Sequence, residues 1–204
     1  VEVYNTEEEQ VEAIKEWWKE NGKAVIIGAV VGLGGLFGWR YYQDSVTSAR
    51  EAASQSYTSA INTLQAKGVD AAADVQSFID GNEVKEYSVL AALQLAKTQV
   101  DAGDLNAALV QLKWAQSNSK DAAIMPLVSY RIARIEAALG NFDAANAELA
   151  KVSNKGWTGR IAELRGDIAL RQGNKEAAYA AYSEAQQAED AGQTLQMKLD
   201  DLAK

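Results

Sequence analysis

The chain has 204 residues and a net charge of −8, from 28 acidic and 20 basic side chains, and it holds neither His nor Cys. Without His the commonest general base and metal ligand is missing, and without Cys there is no thiol nucleophile, zinc thiolate or disulfide. An acidic chain with no basic cluster is a poor partner for nucleic acid, and abundant Ala, Leu, Gln and Glu with a single Pro is the composition of helices.

Residues 1–23 carry seven Glu and three Lys. Thr6 and Glu9 have the spacing of a capping box. Val11, Ile14 and Trp18 follow at helical intervals. They predict a short amphipathic helix lying along a membrane surface, with a disordered tail as the plainer alternative.

Ala24 to Trp39, AVIIGAVVGLGGLFGW, is uncharged and is closed by Lys23 and Arg40. We read residues 24–42 as a transmembrane helix. Sixteen residues rise about 24 Å, short of a hydrocarbon core of about 30 Å. Snorkelling Lys23 and Arg40 supply the remainder, with Trp17 and Trp18 on one side and Trp39, Tyr41 and Tyr42 on the other as interfacial aromatics. A cleaved signal peptide is one rival, but the start is acidic and the exit, Trp39-Arg40-Tyr41-Tyr42, is bulky. A buried core helix is the other, and it would have no use for five glycines, each costing about 1 kcal/mol against Ala in a soluble helix. Three Lys before the span and two Arg just after it favour a cytoplasmic tail weakly. The position of the span near the start of a long chain favours it more. Ala24, Gly28 and Gly32 are spaced by four, as are Gly34 and Gly38. Small residues so placed make a face on which a membrane partner helix could dock, although glycine is also simply common in spans.

From Gln43 the helical pattern continues through Val46, Ala49, Ala53, Tyr57, Ala60 and Leu64 to Lys67-Gly68. A shorter helix is expected over about 69–80, with Ala72, Val75 and Ile79 on one side. Three similar segments follow, starting at Leu93, Tyr130 and Glu163. Each has a small residue (Ala96, Ala133, Gly166), then a turn (Gly103-Asp104, Gly140-Asn141, Gly173-Asn174), then an alanine pair (Ala107-Ala108, Ala144-Ala145, Ala177-Ala178). A large residue follows each pair (Leu112, Leu149, Tyr182). Glycine accepts the positive φ that ends one helix, and Asp or Asn caps the next. The glycines are 37 and 33 residues apart. Beyond Ala191, Leu195, Leu199 and Leu202 predict a terminal capping helix.

This pattern resembles divergent tetratricopeptide repeats, whose period is about 34 residues. The expected fold is therefore all-α, a single N-terminal transmembrane helix followed by a helical-repeat solenoid over 43–204. Such solenoids hold extended or helical segments in a concave groove. If the tetratricopeptide register holds, the first helix of each repeat turns Lys97, Tyr130, Arg134, Arg160, Glu163 and Arg171 towards it. The family's paired Lys/Asn clamp for a terminal carboxylate is missing. Trp157 reads as a core residue at a helix start. No catalytic, cofactor-binding or metal-ligating set is visible, since no glycine-rich loop follows a strand and the acidic runs lie near the chain ends.

Three stretches resemble the YfgM family of ancillary Sec translocon subunits. They are EQVEAIKEWWKENGK (Glu9 to Lys23), the glycine-rich span running into Gly38-Trp39-Arg40-Tyr41, and Gly156-Trp157 followed by Ala162-Glu163-Leu164-Arg165-Gly166-Asp167. The resemblance implies an inner-membrane protein with a cytoplasmic N-terminus and a periplasmic repeat domain. It implies association with the Sec channel subunits and with a membrane-anchored isomerase of the PpiD type. The role it implies is passing translocated client chains to periplasmic chaperones. A membrane-tethered adaptor for envelope assembly or Rcs-type stress signalling, which handles no clients, is the alternative.

Overall fold

The structure, a computed structural model, describes residues 7–202. Thr6 of the expected capping box lies outside the described residues. Helix α1 spans Glu7–Lys67.

Val30, Val31, Leu33, Leu36 and Phe37 are all exposed, and no other described residue of 7–52 buries them. That removes the core-helix rival. Among the described residues this is the one helix long and apolar enough to cross a membrane. Trp17 and Trp18 lie 6.5 Å apart before the apolar stretch, and Trp39 and Tyr42 lie 6.2 Å apart at its end. Gly22 is buried under the Trp18 indole, where an added Cβ would meet the ring at 3.1 Å.

The region from Ala53 onward is built from helix pairs. The last turns of α1 bury Leu64, with Tyr57 and Ile61 packed beside it. Gly68 (φ +59°) then reverses the chain. The helix expected from residue 69 starts as a turn of 3-10 helix (Gly68–Ala71) and continues as α2 (Ala72–Gly81), which buries Val75 and Ile79 completely. Three pairs follow: α3 (Lys85–Asp101) with α4 (Leu105–Asn118), α5 (Met125–Ala138) with α6 (Phe142–Leu149), and α7 (Thr158–Arg171) with α8 (Lys175–Gln186). Helix α9 (Leu195–Leu202) closes the array.

The three turns share one construction. Gly103, Gly140 and Gly173 have φ of +83°, +85° and +81°. The next residue donates its amide to a carbonyl five positions back: Asp104 to Gln99, Asn141 to Glu136 and Asn174 to Ala169, at 2.8–2.9 Å. This is the Schellman stop, in which a left-handed residue lets the chain satisfy the last free carbonyls. Asp104 and Asn174 then cap the following helix by accepting from the amides of Ala107 and Ala177, each at 3.0 Å. Asn141 departs from the expectation. Its Nδ2 instead donates to Glu136 Oε2 at 2.8 Å, because Glu136 is buried one turn back and needs that donor.

The small residues let the paired helices approach. Ala96, Ala133 and the alanines at 108, 145 and 178 are essentially inaccessible, as are Leu112, Leu149 and Tyr182. At Gly166 a Cβ would lie 2.4 Å from the Tyr182 ring, so only glycine fits. The core is three successive clusters. One runs from Leu64 to α5, one joins α5 and α6 to α7, and one joins α7 and α8 to α9. Leu195 and Leu199 fill the last, with Leu202 partly buried against it.

Candidate partner-binding groove

The first helices of the pairs, α3, α5 and α7, carry the expected groove residues, and the structure divides them into three groups. Lys97 and Arg134 face an open cleft of about 330 Å3 between α3 and α5. Its floor is Leu93, Ala96, Leu112 and Ile135, all buried, and Val100 on its lip is 39% exposed. Lys97 is paired along its own helix with Asp101 at 2.8 Å. Arg131 joins Arg134 at the edge. It sits at a register position outside the expected set, so the repeat pattern gave no signal for it.

Tyr130 and Arg160 meet through Trp157. The Tyr130 and Trp157 rings are 5.4 Å apart, and the Arg160 guanidinium lies 5.0 Å from the indole centre. Burial pushes the Tyr130 phenol above its ordinary value, and Glu163 and Asp167 add to this against the opposing charges of Arg134 and Arg160. Trp157 is half-buried against the second core cluster, so it serves both as a packing residue at a helix start and as the plate between these two side chains.

Glu163 and Arg171 are engaged elsewhere. Glu163 accepts from Lys198 of α9 at 2.9 Å and from Thr194 Oγ1 at 3.3 Å. Lys198 also reaches Asp167 at 2.6 Å, and the Tyr182 hydroxyl donates to the same Asp167 oxygen at 2.7 Å. Burial would lower the Lys198 pKa, but its bonds to Asp167 and Glu163 prevail and hold it above the usual lysine value. Arg171 lies 5.6 Å from the Phe142 ring centre and donates to the carbonyls of Ala137, which also accepts from the Gly140 amide, and Ala138, at the C-terminal end of α5. In residues 7–52, Ala24, Gly28, Gly32, Gly34 and Gly38 are exposed, and a Cβ at any of the four glycines would meet nothing within 4 Å. Among the described residues there is no cluster of three or more His, Cys, Asp or Glu side chains that could hold a metal ion.

Comparison with known proteins places this architecture. Residues 15–204 match a tetratricopeptide repeat-like domain. The ancillary SecYEG translocon subunit of Haemophilus influenzae is 36% identical over 185 residues, covering 90% of this chain and 91% of its own length. The Escherichia coli subunit of that name is 33% identical over 182 residues, 89% of this chain and 88% of its own. That of Aggregatibacter actinomycetemcomitans is 37% identical over 204 residues, 98% and 99% of the two chains. The chain belongs to the family of ancillary SecYEG translocon subunits. No solved structure matches it significantly.

The stretch from Gly156 to Asp167, one of those that resemble this translocon-subunit family, is explained here by packing. Asn154 Oδ1 accepts from the Gly156 amide at 2.9 Å and starts the turn. The amides of Gly159 and Arg160, at the N-terminus of α7, donate to Asp190 from beyond α8 at 2.7 and 3.2 Å. A Cβ on Gly159 would meet Asp190 Oδ1 at 2.8 Å. Glu163, Gly166 and Asp167 then hold α8 and α9.

Proposed function

We propose that this chain is a non-enzymatic, single-pass accessory subunit of the Sec translocon. Residues 1–23 form its cytoplasmic tail, residues 24–42 cross the inner membrane, and residues 43–204 form a periplasmic repeat domain. That domain binds partner proteins, among them a PpiD-type isomerase and periplasmic chaperones, and passes them translocated chains. The carrying observation is likeness along nearly the whole chain to relatives named ancillary SecYEG translocon subunits, anchor included. The exposed apolar stretch of α1 and the groove-side cleft support it. The small-residue face Ala24, Gly28, Gly32, Gly34 and Gly38 is the proposed contact with the channel.

In-cell crosslinking from a photoreactive residue at Gly28 or Gly32 tests this. Labelling of a Sec channel subunit, or of a protein bound to it, is the expected result. Labelling of neither removes the translocon assignment. Orientation is read separately. The chain has no Cys, so Ser119→Cys in intact-membrane spheroplasts should react with a membrane-impermeant maleimide while Asn5→Cys should not.

A further inference from the structure

We propose that the cleft between α3 and α5 receives peptide segments in which an apolar side chain is flanked by carboxylates. This rests on the reading that the repeat domain holds polypeptide chains, and it names the kind of segment. The floor of Leu93, Ala96, Leu112 and Ile135 offers no hydrogen-bonding group, so it suits an aliphatic or aromatic side chain. Its edge carries the opposite chemistry. Arg131 and Arg134 lie three apart on α5, on one side of the helix, and among the described residues neither has an ion-pair partner.

Several other cations of the repeat domain are occupied, and Lys67, Lys120, Lys155, Arg165 and Lys175, which have no ion-pair partner among the described residues, do not line the cleft. Lys113 is bound to Glu136, Lys151 to Glu148 and Lys198 to Glu163 and Asp167. Arg171 is bound to two carbonyls, and Arg160 covers Trp157. In a chain of net charge −8, two free guanidinium groups beside an apolar cleft reverse the prevailing sign at one place. A guanidinium presents paired donors that match a carboxylate, and it holds them best beside a surface that excludes water. An anionic lipid headgroup would use the arginines but has no need of the floor, so the two features together favour an acidic, apolar peptide.

The test uses the full chain in detergent micelles and the fluorescence anisotropy of three labelled peptides, alternating Leu with Glu, Gln or Lys. The Leu-Glu peptide should bind about tenfold tighter than the Leu-Gln peptide, and the Leu-Lys peptide weakest. The double variant Arg131→Gln/Arg134→Gln should bring Leu-Glu down to the Leu-Gln level, while Arg131→Lys/Arg134→Lys keeps most of the preference. Ala138→Trp, at an exposed lining position, should obstruct the cleft and weaken all three. Unchanged thermal unfolding by circular dichroism shows that each variant is folded. Equal binding of Leu-Glu and Leu-Lys, or no response to the double Gln variant, overturns the charge preference and leaves peptide binding intact. Failure of every peptide to bind removes the groove reading itself. Displacement of the labelled Leu-Glu peptide by phosphatidylglycerol doped into the micelles, with none by unlabelled peptide, reassigns the arginines to lipid and also overturns the proposal.

Discussion

Gly166 leaves the room that the Tyr182 ring fills, and the contact is too tight for a methyl group unless the ring moves. Gly166→Ala should therefore destabilise the chain by about 1–3 kcal/mol through overpacking, although alanine is the better helix former. Urea unfolding followed by circular dichroism measures it, and a neutral or stabilising result would show that the ring gives way freely. Glu136 supplies a second residue-scale prediction. Burial would raise its carboxyl pKa, but the hydrogen bonds from Lys113 and Asn141 and the charge of Lys113 prevail and hold it below the ordinary value. A carboxylate with a lowered folded pKa stabilises fully above its unfolded value of about 4.3, and that stability is lost as pH falls through the folded value. Glu136→Gln should cost about 1–3 kcal/mol at pH 7 and flatten the acid limb of the stability curve below about pH 4.3. Unfolding free energies at several pH values between 3 and 7 would show whether the limb flattens.

The helix pairs were legible because their punctuation is chemical. Glycine at a left-handed turn, a short polar cap and a small residue one helix earlier each meet a local demand, and the three repeats carry these residue types at the same offsets, although the Asn141 side chain does not cap its helix. The side-chain work of Asn141 was not legible. It depends on Glu136 being buried and on Lys113, 23 residues away in the chain, coming to 2.8 Å. Asp104→Ala and Asn174→Ala should each cost about 0.5–2 kcal/mol as lost caps. Asn141→Ala should cost a similar amount for another reason. In a double-mutant cycle with Glu136→Gln its effect should be strongly non-additive, whereas that of Asp104→Ala should simply add. At the far end, Lys198→Met should loosen α9. Faster amide exchange in Leu195–Leu202 than in α7 would show it, and unchanged exchange would mean that Leu195 and Leu199 suffice.

At the scale of the molecule, an unbroken apolar run with aromatic and cationic flanks announced the anchor as plainly as the repeats announced the solenoid. Alkaline carbonate should leave the chain in the membrane pellet and release a form lacking residues 24–39, as sedimentation and immunoblotting would show. The groove was half legible. Register nominated six groove-facing residues, of which the structure places Lys97 and Arg134 at the cleft and Tyr130 and Arg160 around Trp157. It could not anticipate that α9 would claim Glu163, or that Arg171 would close the end of α5, because both depend on which element packs next. The three repeats also fill one shape with two combinations. Ala96 with Leu112 and Ala133 with Leu149 sit in the first two core clusters, and Gly166 meets Tyr182 in the third pair. Positions 166 and 182 are therefore expected to vary together among relatives, which an alignment of the family would check. A relative with leucine in place of the tyrosine should tolerate alanine at the glycine position, and one that keeps the ring should keep the glycine.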